Sequence, residues 1–156
     1  NMSFSSINLK GQDFKETHIL SFVSPSSQSL ANLRASLSGE KWENYLDLVG
    51  PFVENVRVSA GNATQVYNPE QFYPIGQVWS FKVKSKHVPQ FSQAFAKLMQ
   101  TFEAPGFVGL ANVTHGISNG ENLLIYGTYP NLNSAFTFGP KNENEVKAFS
   151  VFNDLV

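Results

Sequence analysis

The sequence predicts an α+β fold with antiparallel sheets, because the order strand, helix, strand, strand can be read twice along it. The clearer copy lies in residues 78–129, where an alternating strand precedes an amphipathic helix and two apolar strands. Residues 17–67 repeat this order of elements without repeating the residues themselves. A length of 156 residues suits one domain, or two small repeats around a shared core. We therefore expect an N-terminal repeat in residues 1–76, with an arm and a linker, and a C-terminal repeat in residues 77–156.

The strand at residues 78–84 and the helix after it carry the strongest periodic signals. Apolar and polar side chains alternate along the strand, as in a sheet with one buried face and one solvent-exposed face. Pro89 suits the first turn of the helix, where its missing N–H group has no partner to lose. The apolar stripe of this helix consists of Phe91, Phe95, Leu98 and Phe102. This spacing places one helix face on the sheet.

Two further strands are predicted at residues 107–115 and 122–129, joined by a turn that contains Asn119 and Gly120. An Asn-Gly pair tolerates positive φ at both positions, as tight hairpins require. The strand at 122–129 is apolar on both faces near its middle, so we expect it to be central in the sheet. Glycines at positions 109 and 127 predict a bulge or a close approach within these strands.

The remaining elements are predicted from shorter patterns. The first half contains an irregular arm (1–16), a strand (17–23), helices (30–37 and 40–49), a strand (52–60), a turn at Gly61-Asn62, a returning strand (63–67) and a linker (68–76). Two helical segments follow the hairpin, at 130–136 and 143–155. The sequence does not decide whether residues 137–138 or residues 4–9 form the closing strand of the second repeat.

Composition excludes several classes of function. The formal net charge is −1, and only 15% of the residues are charged, so neither nucleic acid nor an anionic membrane surface is an expected partner. Three alternating lysines, Lys82, Lys84 and Lys86, are typical of a solvated or edge-protecting strand face. The chain has no cysteine, which excludes disulfides and thiolate chemistry. No apolar run approaches the length of a membrane span, and a cytoplasmic location is favoured over a periplasmic one.

A resemblance to a known superfamily follows from residues 78–136. The segments that carry it are V-W-S-F-K-V-K with the Phe91–Phe102 helix, then N-L-L-I-Y-G-T-Y-P with N-L-N-S-A-F. This pattern resembles the ferredoxin-like, dimeric α/β-barrel superfamily, which includes antibiotic-biosynthesis monooxygenases that need no cofactor, haem-degrading enzymes, chlorite-dismutase-like proteins and stress-response barrels. Residues 17–67 resemble it by topology alone. The resemblance implies two ferredoxin-like repeats in a dimeric-barrel-like domain, a pocket between sheet and helices, and a homodimer or a barrel built from the two halves.

Four large aromatic residues are candidates for lining such a pocket. They are Trp42, Tyr45, Trp79 and Tyr126. Ligand pockets are predominantly apolar and aromatic, so these residues favour a small aromatic or apolar ligand. The alternative is that they are ordinary core residues, since large aromatic side chains are mostly buried in any fold.

Candidate catalytic residues are His18, Asn112 and His115. A histidine in a pocket titrates near neutral pH and can act as an acid, a base or a haem ligand. The alternatives are a half-buried, hydrogen-bonded His18 and a solvated His115 at a hairpin end. No metal site is predicted, because no histidine pair has the helical spacing of a zinc motif.

These residues support several hypotheses of function. The first is a small-molecule-binding or sensing domain without catalysis and without a cofactor. The second is a cofactor-independent monooxygenase that holds an aromatic substrate between Trp79 and Tyr126, with His115 or His18 as base and Asn112 as oxyanion donor. A haem-handling enzyme and a structural or oligomerisation module are further alternatives.

Overall fold

A computed structural model describes residues 1–12, 14–54, 57–116 and 119–154. The chain separates into two compact units, Asn1–Val58 and Ser59–Val156. The first unit contains a two-stranded antiparallel sheet and the second a four-stranded antiparallel sheet, so the predicted α+β class is confirmed. The boundary between these units lies after Val58. It differs from the division predicted between residues 76 and 77, which stays a prediction.

The first unit consists of a hairpin and two helices. Its elements are β1 Met2–Ser6, β2 His18–Phe22, α1 Ser27–Ser36 and α2 Glu40–Val49, followed by a 3₁₀ turn at Gly50–Phe52. Residues 2–6 were expected in an irregular arm, but they pair with β2 from Met2↔Phe22 to Ser6↔His18. Ser26 is the N-cap of helix α1, because its hydroxyl accepts a hydrogen bond from the N–H of Ser29. None of the described residues of this unit is buried.

The predicted strand at 52–60 and the turn at Gly61-Asn62 are wrong. Gly50–Phe52 forms a 3₁₀ turn, and residues 55 and 56 lie outside the described part of the chain. Gly61 and Asn62 lie inside strand β3, where they pair with Val113 and Asn112 of the four-stranded sheet. A Cβ on Gly61 would collide with the carbonyl oxygen of Asn112, so glycine serves a close strand contact here rather than a turn.

The second unit carries most of the regular structure. Its elements are β3 Ala60–Tyr67, β4 Ile75–Phe81, a 3₁₀ turn Ser85–His87, α3 Val88–Thr101, β5 Val108–His115, β6 Leu123–Tyr129, α4 Leu132–Phe136 and α5 Glu143–Asn153. The strand order is β3-β5-β6-β4. Strand β6 pairs with both β4 and β5, so its predicted central position is confirmed. Asn119 and Gly120 both take positive φ, as the hairpin prediction requires, while residues 117 and 118 lie outside the described part.

The core lies between one face of the four-stranded sheet and helices α3 and α5. Its buried residues include Phe91, Phe95, Leu98 and Phe102 of the predicted stripe, with Leu110, Leu123, Ile125 and Phe152. The rings of Phe91 and Phe152 meet edge to face at 5.3 Å, which joins α3 to α5. Aromatic pairs favour this geometry, and seven of the fourteen phenylalanines lie in this core or pack against it.

In the part of the chain that the structure describes, neither sheet closes into a barrel. Strands β3 and β4 are the two edges of the four-stranded sheet. Residues 137 and 138 belong to no strand, and the residues of β1 pair only with β2. Two ferredoxin-like repeats are therefore not confirmed, because β3, expected in the first repeat, joins the sheet of the second unit.

Candidate functional site

The four-stranded sheet has a helix-covered face and an open face, and they carry different residues. Trp79 pairs with Ile125 on the helix-covered side, where Ile125 is buried. Tyr126 pairs with Val78 on the open side, where Val78 is half exposed. Directly paired residues share a face, and successive residues alternate. Trp79 and Tyr126 therefore point away from each other, and one ligand cannot be held between their rings.

Trp79 lies in an aromatic cluster on the helix-covered face. Its ring is 5.4 Å from that of Phe138, which also contacts Phe102 at 5.3 Å and Tyr129 at 5.5 Å. A Cβ on Gly127 would lie 3.3 Å from the Tyr129 hydroxyl and 3.4 Å from Trp79 Cζ3, so both side chains pack over this glycine. The sequence predicted a close approach at this position, and the Tyr129 and Trp79 rings are what approach it.

Tyr126 belongs to a second aromatic group on the open face, which we call the aromatic patch: Phe72, Phe107 and Tyr126. The ring centroids of Phe72 lie 5.5 Å from Phe107 and 6.0 Å from Tyr126, and the latter two are 6.1 Å apart. Phe72 is 61% exposed although it sits on two other rings. The patch is therefore a solvent-exposed aromatic surface rather than an enclosed cavity.

Two glycines allow these rings to lie flat on the sheet. A Cβ at Gly76 would come within 2.6 Å of the Tyr126 hydroxyl, and a Cβ at Gly109 within 3.2 Å of Phe107 Cε1. The sequence flagged Gly109 as a close-approach position but did not name Phe72 or Phe107. A signal for Phe107 was present, because it stands two residues before Gly109 and strand neighbours at that spacing share a face.

The loop that carries Phe72 is anchored on both sides of that residue. The N–H of Phe107 donates to the carbonyl oxygen of Gln71 at 2.7 Å, and the N–H of Tyr73 donates to Thr128 Oγ1 at 3.3 Å. Thr128 Oγ1 in turn donates to the Gln71 carbonyl at 3.3 Å. These hydrogen bonds hold the backbone in place on both sides of Phe72, so the exposed ring projects from a fixed segment.

The hydroxyl of Tyr126 is the polar group of the patch. Burial raises the pKa of this phenol, because the charged phenolate would lose hydration. The hydroxyl therefore stays protonated at neutral pH and remains able to donate a hydrogen bond.

Asn112 and His115 stand on the same strand but are not in contact. The Oδ1 atom of Asn112 is buried and has no hydrogen-bond partner among the described residues. His115 is exposed, with Nδ1 3.0 Å from the Thr114 hydroxyl. Three strand residues span about 10 Å, so the pair cannot share a proton directly.

The other candidates lie in the first unit. His18 is exposed and stacks on Phe4, with ring centroids 5.0 Å apart and planes 4° apart. Trp42 and Tyr45, at neighbouring positions on α2, stack at 5.1 Å. Each pair forms a local aromatic contact within its own element or hairpin.

Two surface grooves lie away from all of these residues. The larger, of about 660 Å³, runs between α3 and α5, and the other, of about 420 Å³, lies at the start of α5. Neither is lined by a residue that the sequence proposed for a pocket.

Other kinds of site find no support in the described ranges. In those ranges, no group of three or more histidine, aspartate or glutamate side chains is placed to hold a metal ion. Among the helices described, none is long and apolar enough to cross a membrane. No protein-family model, curated protein or solved structure matches this chain at a significant level.

Proposed function

We propose that this protein is a non-catalytic, small-molecule-binding or sensing domain that takes an apolar, aromatic ligand on the aromatic patch. One observation carries the proposal: Phe72 is 61% exposed while it packs on Phe107 and Tyr126. An exposed phenylalanine on an anchored loop, over two further rings, is a ready stacking surface.

The chemistry of the patch narrows the ligand class. A planar aromatic molecule can stack on Phe72 and Phe107, and the protonated Tyr126 hydroxyl can donate to a carbonyl or ether oxygen on its rim. The patch consists of two hydrocarbon rings and one neutral phenol, so a neutral ligand fits it better than an ionic one.

The order of elements supports a ferredoxin-like, dimeric α/β-barrel relationship for the second unit. From β4 onward the chain reads strand, helix, strand, strand, helix, with β6 between β4 and β5. The position of β3 beside β5 departs from a plain ferredoxin-like repeat.

The test is a thermal-shift screen with neutral aromatic ketones and ethers, because binding to the native state raises the melting temperature. We expect a ligand that stabilises the wild type to lose most of its effect in Phe72→Ala. The matched control is Phe136→Ala, since Phe136 is 63% exposed in α4 and stands outside the patch. A panel that never shifts the wild type, or equal losses in both variants, would count against the proposal.

The enzyme alternatives remain hypotheses that no feature of the site favours. A cofactor-independent monooxygenase needs a base beside its substrate, so unchanged turnover after His18→Ala and His115→Ala would exclude that assignment. A haem-handling enzyme would show a Soret band when haem is added.

A further inference from the structure

Strand β4 is an open edge of the four-stranded sheet, and it is the less protected of the two edges. It pairs with β6 over Ile75–Phe81 without a break in register. On its other side, the described residues provide no backbone hydrogen bond to positions 75–80. Unpaired edge groups of this kind template pairing with another strand.

The opposite edge, β3, carries an irregularity of the kind that proteins use to prevent such pairing. Its register shifts between Ala63 and Gln65, where Thr64 is the extra residue, while the shift between Ala60 and Gly61 skips Thr114 of β5. Bulges twist an edge away from an incoming strand. Strand β4 has neither a bulge nor an internal proline, and all seven of its residues are uncharged. The lysines at positions 82 and 84 stand beyond its last residue.

We propose that β4 pairs antiparallel with β4 of a second copy of this chain, which joins two four-stranded sheets edge to edge. A two-fold axis at Val78 pairs the whole strand, with Ile75 opposite Phe81 of the second copy and Val78 opposite itself. No like charges meet in this register, because the strand has none. This interface is distinct from packing on the open face and does not depend on a ligand.

The first test changes the charge at the proposed axis. Val78 is 50% exposed, so Val78→Lys should fold, as far-UV circular dichroism will check. We expect sedimentation to show a wild-type dimer and about tenfold or more weaker dimerisation in Val78→Lys, because two lysines then face each other. Val78→Glu alone should dimerise as weakly as Val78→Lys. Mixing the two variants should restore the dimer, because a lysine then faces a glutamate.

The matched control lies on the other edge. Val66 of β3 is also a half-exposed valine, at 46%, so Val66→Lys tests the same change away from the axis. We expect this variant to dimerise like the wild type. Equal disruption by both lysines would indicate face-to-face packing and overturn the proposal, as would a wild type that stays monomeric at every concentration.

Cross-linking gives an independent test because the chain has no cysteine of its own. Val78→Cys places two sulfurs at the axis, so oxidation should link the copies rapidly, whereas Val66→Cys should link them only at the rate of random collision. Equal rates for the two variants would contradict an edge pairing centred on Val78.

Discussion

At the scale of single residues, two glycines of the four-stranded sheet make room for the aromatic patch. Gly76 and Gly109 admit Tyr126 and Phe107 on the open face. A side chain at either position would press against the ring, because its Cβ would lie 2.6 Å from the Tyr126 hydroxyl or 3.2 Å from Phe107 Cε1. The patch therefore depends on residues that have no side chain themselves.

Tyr129 provides a test of burial at one residue. It is 1% exposed, and burial raises the pKa of its phenol above the usual value near 10. A raised pKa stabilises the fold fully below the unfolded value, and this stabilisation is lost as the pH rises above about 10. We expect the free energy of unfolding to fall more steeply above that pH in the wild type than in Tyr129→Phe, as urea denaturation at several pH values will show. Parallel curves for the two proteins would contradict this expectation.

At the scale of elements, β4 is shorter at its C-terminal end than its sequence pattern suggests, because a side chain replaces its partner strand. Strand pairing ends at Phe81, opposite Leu123. Beyond it, Asn122 Oδ1 accepts the N–H of Val83 and Asn122 Nδ2 donates to the Val83 carbonyl, both at 2.9 Å. The side-chain amide thus imitates one more residue of a paired strand.

Removing this amide should loosen the end of β4. Each hydrogen bond contributes roughly 0.5–1.5 kcal/mol net, so Asn122→Ala should lower the free energy of unfolding by about 1–3 kcal/mol. Urea denaturation measures the difference. The control is Asn144→Ala on the exposed side of α5, which should change stability by less than about 0.5 kcal/mol. A loss no larger than that of the control would show that the amide has no such role.

At the scale of the whole molecule, stability is concentrated in the second unit. Its core cluster joins α3, β5, β6 and α5, whereas none of the described residues of the first unit is buried. Strands β1 and β2 pair only with each other, and isolated two-stranded sheets are marginally stable.

Hydrogen exchange on the full chain tests this contrast. We expect amides of α3, β5 and β6 to exchange only through global unfolding, because their hydrogen bonds are covered by the aromatic core. Amides of β1 and β2 should exchange faster, through local opening. Equal protection of the two units would show that the first unit unfolds together with the core.

The candidate site was predictable only in part, because a face assignment depends on strand register. Tyr126 was named from the sequence, but its neighbour Phe72 lies in a segment that reads as a linker. That segment reaches the sheet through hydrogen bonds to Phe107 and Thr128, which are distant in the chain. Local periodicity carries no information about such contacts.

The sequence by itself determined the α+β class, the stripe of α3, the β5–β6 hairpin and the central position of β6. These features depend on side-chain periods and turn chemistry within a few residues. Only the tertiary structure decided that Gly61 lies within a strand, that Trp79 and Tyr126 occupy opposite faces, and that β3 and β4 are the edges. Each of these depends on pairing between distant segments, and burial against a partner strand outweighs the turn preference of an isolated Gly-Asn pair.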